Sequence, residues 1–230
     1  MRNLLLLLAL LAAPVIHAAD QPTTKPTPQI VSAMLGAIRK PAANQFPTPE
    51  SVLKFLLEQV QKQDLDEATK AFPIVEHFER NDLATFSRYL QVIEPTTSPM
   101  PQSPFRNLSN AMRPLASFDQ ISLTLLGADL SRVTVLKEQG SDAELKPLID
   151  RLDRSRLANL EIQSITSERI FPTKPDDPYT KKLGVSARTQ TTATLKTPDG
   201  KRAQVSCMVE KLDDNWRITQ CQVGIEEKNP

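Results

Sequence analysis

The chain has 230 residues, 28 basic against 27 acidic, and removing Arg2 with an N-terminal leader leaves 27 of each. Formal neutrality excludes attraction of nucleic acid or an anionic surface by net charge. Two cysteines, with one histidine (His77) beyond the leader, cannot supply a four-ligand zinc site, and six isolated glycines build no phosphate loop.

Met1-Arg2-Asn3, the apolar run Leu4 to Ala13, Pro14 and Ile16-His17-Ala18 have the order of a signal peptide cleaved after Ala18. The run is too short for a stable membrane span, and no cysteine follows to accept a lipid. The expected location is therefore periplasmic or secreted. Residues 19–47 carry Pro22, Pro26, Pro28 and Pro41, with Pro47 at their end, and read as an extended tether. Within it Ile30, Val31, Met34, Leu35 and Ile38 have the spacing of one small docking helix, the alternative being a poorly ordered leader.

Residues 48–226 are expected to form one domain, helical with an insertion over 48–118 and sheet plus one helix over 119–226, with 227–230 as a tail. Thr48-Pro49-Glu50-Ser51 starts a helix with Val52, Leu53, Leu56, Leu57 and Val60 on its apolar face. Asp64 and Glu67 cap a second, which Pro73 stops. Further helices are predicted over Asp82 to Ile93 and around Phe105, Leu108 and Met112, separated by a proline-rich loop. Ile121, Leu123 and Leu125, then Gly127-Ala128-Asp129, then Val133 and Val135 predict a short β-hairpin. Ser141 and Glu144 open a helix that Pro147 either kinks or begins. Leu160 to Glu168 alternates as a strand and leads to the loop Pro172 to Pro178, where Asp176-Asp177 is a solvated turn rather than a calcium loop.

Val185 to Ile225 is the clearest stretch, three alternating segments joined by two reversals. The first reversal is Thr197-Pro198-Asp199-Gly200-Lys201. The second is a three-residue loop, Asp213-Asp214-Asn215, with Asn215 left-handed. That loop sets Leu212 opposite Trp216 and, counting outward, Cys207 opposite Cys221, within reach of a disulfide. Two buried free thiols in a reducing compartment are the alternative.

Ser51-Val52-Leu53-Lys54-Phe55-Leu56 with Asp64-Leu65-Asp66-Glu67-Ala68, and Thr197-Pro198-Asp199-Gly200 with Asp214-Asn215-Trp216-Arg217-Ile218, give the chain from Pro47 to Ile225 its resemblance to a known family. It resembles the nuclear transport factor 2-like superfamily, most of all SnoaL-like and lumazine-binding-like members of the bacterial envelope. Asn215 stands where those members often carry glycine, and Pro73 to Phe118 is longer than the family usually has. The resemblance implies an α+β, cone-shaped, cystatin-like fold, with helices packed on a curved antiparallel sheet that ends in a four-strand meander. It also implies a homodimer formed through the sheet.

Family enzymes place a carboxylate and a partner acid, tyrosine or histidine inside the cone. His77, Tyr89 and Tyr179 have no acid at a spacing that forces pairing, so no catalytic residue, metal ligand or cofactor is assigned. The small residues Ala187, Thr189, Thr191 and Ala193 would leave room for an apolar ligand, with Glu168 and Arg188 adding polar contacts if they point inward. The alternative is a cone filled by Leu56, Leu57 and Phe86, with Glu168 and Arg188 paired across strands on the wet face. The expected function is that of an exported, non-enzymatic accessory module binding an envelope protein, with no nucleic-acid partner. The alternatives are an isomerase- or hydratase-like enzyme drawing its acids from Pro73 to Phe118, and a carrier of a small apolar ligand.

Overall fold

The structure, a computed structural model, describes residues 39–76, 117–139, 141–174 and 176–226. The leader, His77, the helices predicted over Asp82 to Ile93 and around Phe105 to Met112, and the tail lie outside those residues. Helix α1 is Pro49–Lys62. Thr48 Oγ1 accepts the Ser51 N–H (3.2 Å) while Ser51 Oγ accepts the Thr48 N–H (3.2 Å), so the first turn is capped reciprocally. The predicted apolar face, Val52, Leu53, Leu56, Leu57 and Val60, is fully buried. Helix α2, Leu65–Ala68, is capped by Asp64 Oδ1 and runs into a 3₁₀ turn, Thr69–Ala71, just ahead of Pro73.

The hairpin predicted over 121–137 is replaced by two helices, α3 over 117–125 and α4 over Leu130–Glu138. Phe118, Ile121 and Leu125 are buried at helical spacing, an alternative the period-two pattern of 121, 123 and 125 had masked. Ser122 Oγ and Thr124 Oγ1 donate to the carbonyls of Phe118 (2.9 Å) and Gln120 (2.7 Å), four residues back, which absorbs both hydroxyls within the helix. Gly127 (φ 77°) ends α3 in the left-handed conformation, and Asp129 Oδ1 accepts the Arg132 N–H (3.1 Å) to open α4. A glycine stop followed by an aspartate cap thus links two helices where a turn between strands was expected.

Helix α5, Asp142–Asp150, carries Pro147 in its interior, and Ser141 makes no side-chain cap bond. A short helix α6, Ser155–Ala158, leads into β1, Glu161–Ser167, and the two-residue β2, Phe171–Pro172. Helix α7, Pro178–Leu183, was not predicted, although Asp177-Pro178 at its start and Gly184 (φ 69°) at its end are standard punctuation. The expectation of one helix beyond residue 119 therefore gives way to several.

Strands β3 (Val185–Lys196), β4 (Arg202–Leu212) and β5 (Asn215–Glu226) complete an antiparallel sheet ordered β1-β3-β4-β5, with β2 pairing the start of β3. The β4–β5 reversal has two residues rather than three. Leu212 faces Asn215, and Asp213 (φ 50°), not Asn215, is left-handed. Thr219 then bulges out of β5, and the extra residue restores the register so that Cys207 faces Cys221. The two are joined by a disulfide, with Cα atoms 4.1 Å apart.

The inner face of the sheet packs on α1. Ala193 and Leu195 of β3, Val205 and Val209 of β4 and Ile218 of β5 share one core with Leu53, Leu56 and Leu57. On β4 the opposite face is exposed or half-exposed from Arg202 to Met208 and buried at Glu210 and Leu212. There Leu183 of α7, Val185 and Leu212 form a small separate cluster. The packed body reaches back before Thr48. Phe46 is buried, its N–H donates to Asn215 Oδ1 (2.8 Å), its carbonyl accepts the Trp216 N–H (2.9 Å), and Asn215 Nδ2 donates to the Ala42 carbonyl (3.0 Å).

Candidate functional site

The predicted cavity residues divide between the two faces of the sheet. Thr189, Thr191 and Ala193 are buried on the inner face, and Ala187 is half-buried against the same core. Ala193 packs with Leu56 and Leu57 of α1. The two threonine hydroxyls are engaged by the far end of β1: Thr191 Oγ1 lies 2.9 Å from Ser167 Oγ, and Thr189 Oγ1 donates to the Glu168 carbonyl (3.1 Å). A ligand on this wall would have to displace those bonds.

Glu168 and Arg188 neither point inward nor pair with each other. Glu168 lies just past the last residue of β1 with its side chain in solvent, held through its N–H to the Gln190 carbonyl (2.9 Å). Arg188 stands opposite Glu210 of β4, and its Nε lies 2.8 Å from Glu210 Oε1. Directly opposed residues share a face, so the ladder register, not proximity in sequence, chooses the partner. Glu210 is buried, and its other cross-strand neighbour is Arg217 of β5.

Arg217 was not singled out as a site residue from the sequence, yet it is the largest fully buried side chain described, with 0% exposure. Its Nη2 donates to the Phe72 carbonyl (2.6 Å) and to Glu76 Oε2 (2.9 Å). Its Nε and Nη1 are buried without a hydrogen-bond partner. Burial pushes the guanidinium pKa down to about 10, opposed by the nearby Glu76 and Asp213 carboxylates, so the group is still charged at neutral pH. The pair ties the segment after α2 to the start of β5. The two residues lie 141 apart in sequence, and no spacing rule connects them.

The outer face of the sheet has a different character. Gln190, Thr192, Thr194, Gln204, Ser206, Gln220 and Gln222 form its uncharged middle, with Thr192 and Ser206 paired through their hydroxyls at 2.9 Å, while the ion pairs Arg188–Glu210 at one end and Lys196–Glu161 and Arg202–Glu226 at the other carry its charges. Two large apolar side chains stand out on it: Phe171 (54% exposed), opposite Arg188, and Met208 (39% exposed), opposite Gln190. Ile170 (49% exposed) precedes Phe171 in the chain. The Arg188–Glu210 ion pair marks the border where α7 begins to cover the face.

Among the described residues no group of three or more histidine, cysteine, aspartate or glutamate side chains is placed to hold a metal ion, and no helix is long and apolar enough to cross a membrane. No protein-family model matches the chain, and no curated protein matches it. Among solved structures, a cystatin-like protein from Ruminococcus gnavus is similar over 86% of this chain and 48% of its own, at 12% identity and a TM-score of 0.38. The chain spans about half the length of that protein. The α+β assignment rests on the strand order and helix placement described above.

Proposed function

We propose that this protein is an exported, non-enzymatic module of the cell envelope that binds another envelope protein on the outer face of its sheet. The observation that carries the reading is the exposure of Phe171 and Met208 on a face whose middle is uncharged and whose ends are closed by ion pairs. Partially desolvated aromatic and methionine side chains contribute most where they become buried against a partner. The signal-peptide pattern of residues 1–18 and the Cys207–Cys221 disulfide support export, since disulfides persist in oxidising compartments. Engagement of the Thr189 and Thr191 hydroxyls by β1, and the packing of Ala193 on α1, favour this reading over a ligand carrier.

A photo-crosslinking residue placed at 208 or 171 in intact cells tests it, with the exposed Lys54 of α1 as the control position. The expected result is one protein adduct formed from 208 and 171, absent from 54, and lost when Phe171→Ser is combined with the probe at 208. Equal labelling from all three positions would sink the proposal. The mass of the protein recovered from these cells should correspond to a chain starting at Ala19, and it should rise by two hydrogens on reduction.

An isomerase- or hydratase-like activity is the second reading. The observation that favours it is Glu76, a buried carboxylate within the long Pro73 to Phe118 stretch. Its ion pair with Arg217 is what a structural role requires, so Glu76→Gln should leave partner capture through 208 unchanged.

A further inference from the structure

Residues opposed across antiparallel strands share a face, and successive rows on that face lie two residues, about 7 Å, apart. On the outer face the first such row runs Phe171–Arg188–Glu210–Arg217, and the fifth runs Glu161–Lys196–Arg202–Glu226. Every charge in these two rows has an opposite one at hand: Arg188 with Glu210 (2.8 Å), Arg217 with Glu76 (2.9 Å), Lys196 with Glu161 (3.9 Å) and Arg202 with Glu226 (3.6 Å). With Glu76 counted, each row sums to zero. The three rows between them, those of Gln190, Thr192 and Thr194 on β3, contain no charged residue of β3, β4 or β5. Gln190, Gln204, Gln220 and Gln222 are exposed there, as is Met208 between Gln190 and Gln220. Glu168 and Arg169, of opposite sign, stand exposed at the rim beside the Gln190 row. The chain as a whole is 24% charged, so composition does not account for this sorting.

Distance decides what such a face selects. The Thr192 row lies about 14 Å from either charged row, beyond the Debye length of about 8 Å at physiological ionic strength. A partner's charge set down on it leaves water with no counter-charge in range, and an unpaired buried charge is costly. Nor does a charged partner gain at the ends, where each cation is already matched. Neutral polar groups fare better. Each glutamine amide offers both donors and an acceptor, and each hydroxyl a donor and lone pairs, so they exchange water for a partner's neutral donors and acceptors at little cost.

We infer that the partner protein meets this face with an uncharged surface of amide, hydroxyl and backbone groups around an apolar seat for Met208, and that its docking is neither steered nor weakened by salt. The inference rests on the outer-face reading proposed above and adds the chemistry of what binds there. A neutral glycan strand shares the hydrogen-bonding chemistry. A protein is favoured because the three rows hold no aromatic ring on β3, β4 or β5 for a sugar to stack on, and the flexible thioether among them packs against apolar side chains of irregular shape. Association then runs at the rate of unsteered pairs, about 10⁵–10⁶ M⁻¹s⁻¹.

The test uses purified protein carrying the photo-crosslinking residue at 208, mixed with an envelope extract at about 50 mM and about 500 mM NaCl, where the Debye length falls from about 14 to about 4 Å. The yield of protein adduct should agree within about twofold between the two, a readout that does not depend on a variant folding. Gln222→Lys and Gln222→Glu, in the row farthest from either charged end, should each cut the yield about tenfold or more, and the neutral Gln222→Met should not. A loss with one sign of charge only, a yield that falls with salt, or a loss with Gln222→Met equal to that of the charged variants would overturn this inference and leave the outer-face reading in place. An adduct whose added mass is removed by glycosidase and not by protease would make the ligand a glycan and overturn both. No adduct from 208 at either salt would overturn the outer-face reading itself, and this inference with it.

Discussion

Arg217 carries the largest electrostatic consequence of any single residue described. Its burial holds the guanidinium pKa at about 10, well above neutral, so loss of Glu76 leaves a positive charge in the core with one backbone carbonyl as its acceptor. Breaking a buried pair from one side costs about 3–5 kcal/mol, whereas replacing both partners with apolar residues of similar volume is often neutral. Glu76→Leu alone is therefore expected to lower the unfolding free energy by that amount in urea titration, and Arg217→Met added to it should recover most of the loss. Strict additivity of the two single changes would show that the pair is not coupled. In the sequence Arg217 reads as one residue of a tryptophan strand. The charge pattern around it gives no hint that its partner lies beyond Pro73.

At the scale of elements, the strands were more legible than the helices, and the reason is local. The alternation of Val185 to Lys196 assigns the buried side to Thr189, Thr191, Ala193 and Leu195, and that is the side α1 covers. Ile121, Leu123 and Leu125 satisfy the same rule, yet they sit in a helix because Phe118, Ile121 and Leu125 satisfy the helical rule as well. Gly127 is what separates α3 from α4. With φ at 77° and open space around its would-be Cβ, Gly127→Ala meets no clash and pays only for the left-handed backbone. The expected loss is about 1 kcal/mol in thermal or denaturant unfolding, with no change in the helix signal. In the β4–β5 hairpin, the three-residue loop was wrong by one residue and the straight strand was wrong by one bulge. The two differences cancel before Cys207 and Cys221, which is why the cysteine pairing could be read from the sequence while the turn could not.

For the whole molecule, the point where the N-terminal segment joins the sheet decides how the domain is held together. The side-chain amide of Asn215 grips the Phe46 N–H and the Ala42 carbonyl together. Asn215→Ala strands two partly buried backbone groups and should cost about 1–3 kcal/mol. Limited proteolysis should then cut near residues 42–46 before the rest of the domain. Asn215→Gly would bring the same early cleavage, because it is the side-chain amide and not the turn conformation that is lost. If either variant resists the protease as the wild type does, the tie does not hold the segment.

The same tie has a mechanical meaning. Arg39 donates its N–H to Thr69 Oγ1 (2.9 Å), and Phe46 is bonded to both Asn215 and Trp216. A pulling force applied to the chain upstream of Arg39 is borne first by those few bonds, and the disulfide-locked strands behind them feel it only after they part. The segment 39–46 is thus the link that parts before the strands locked by the Cys207–Cys221 disulfide are loaded.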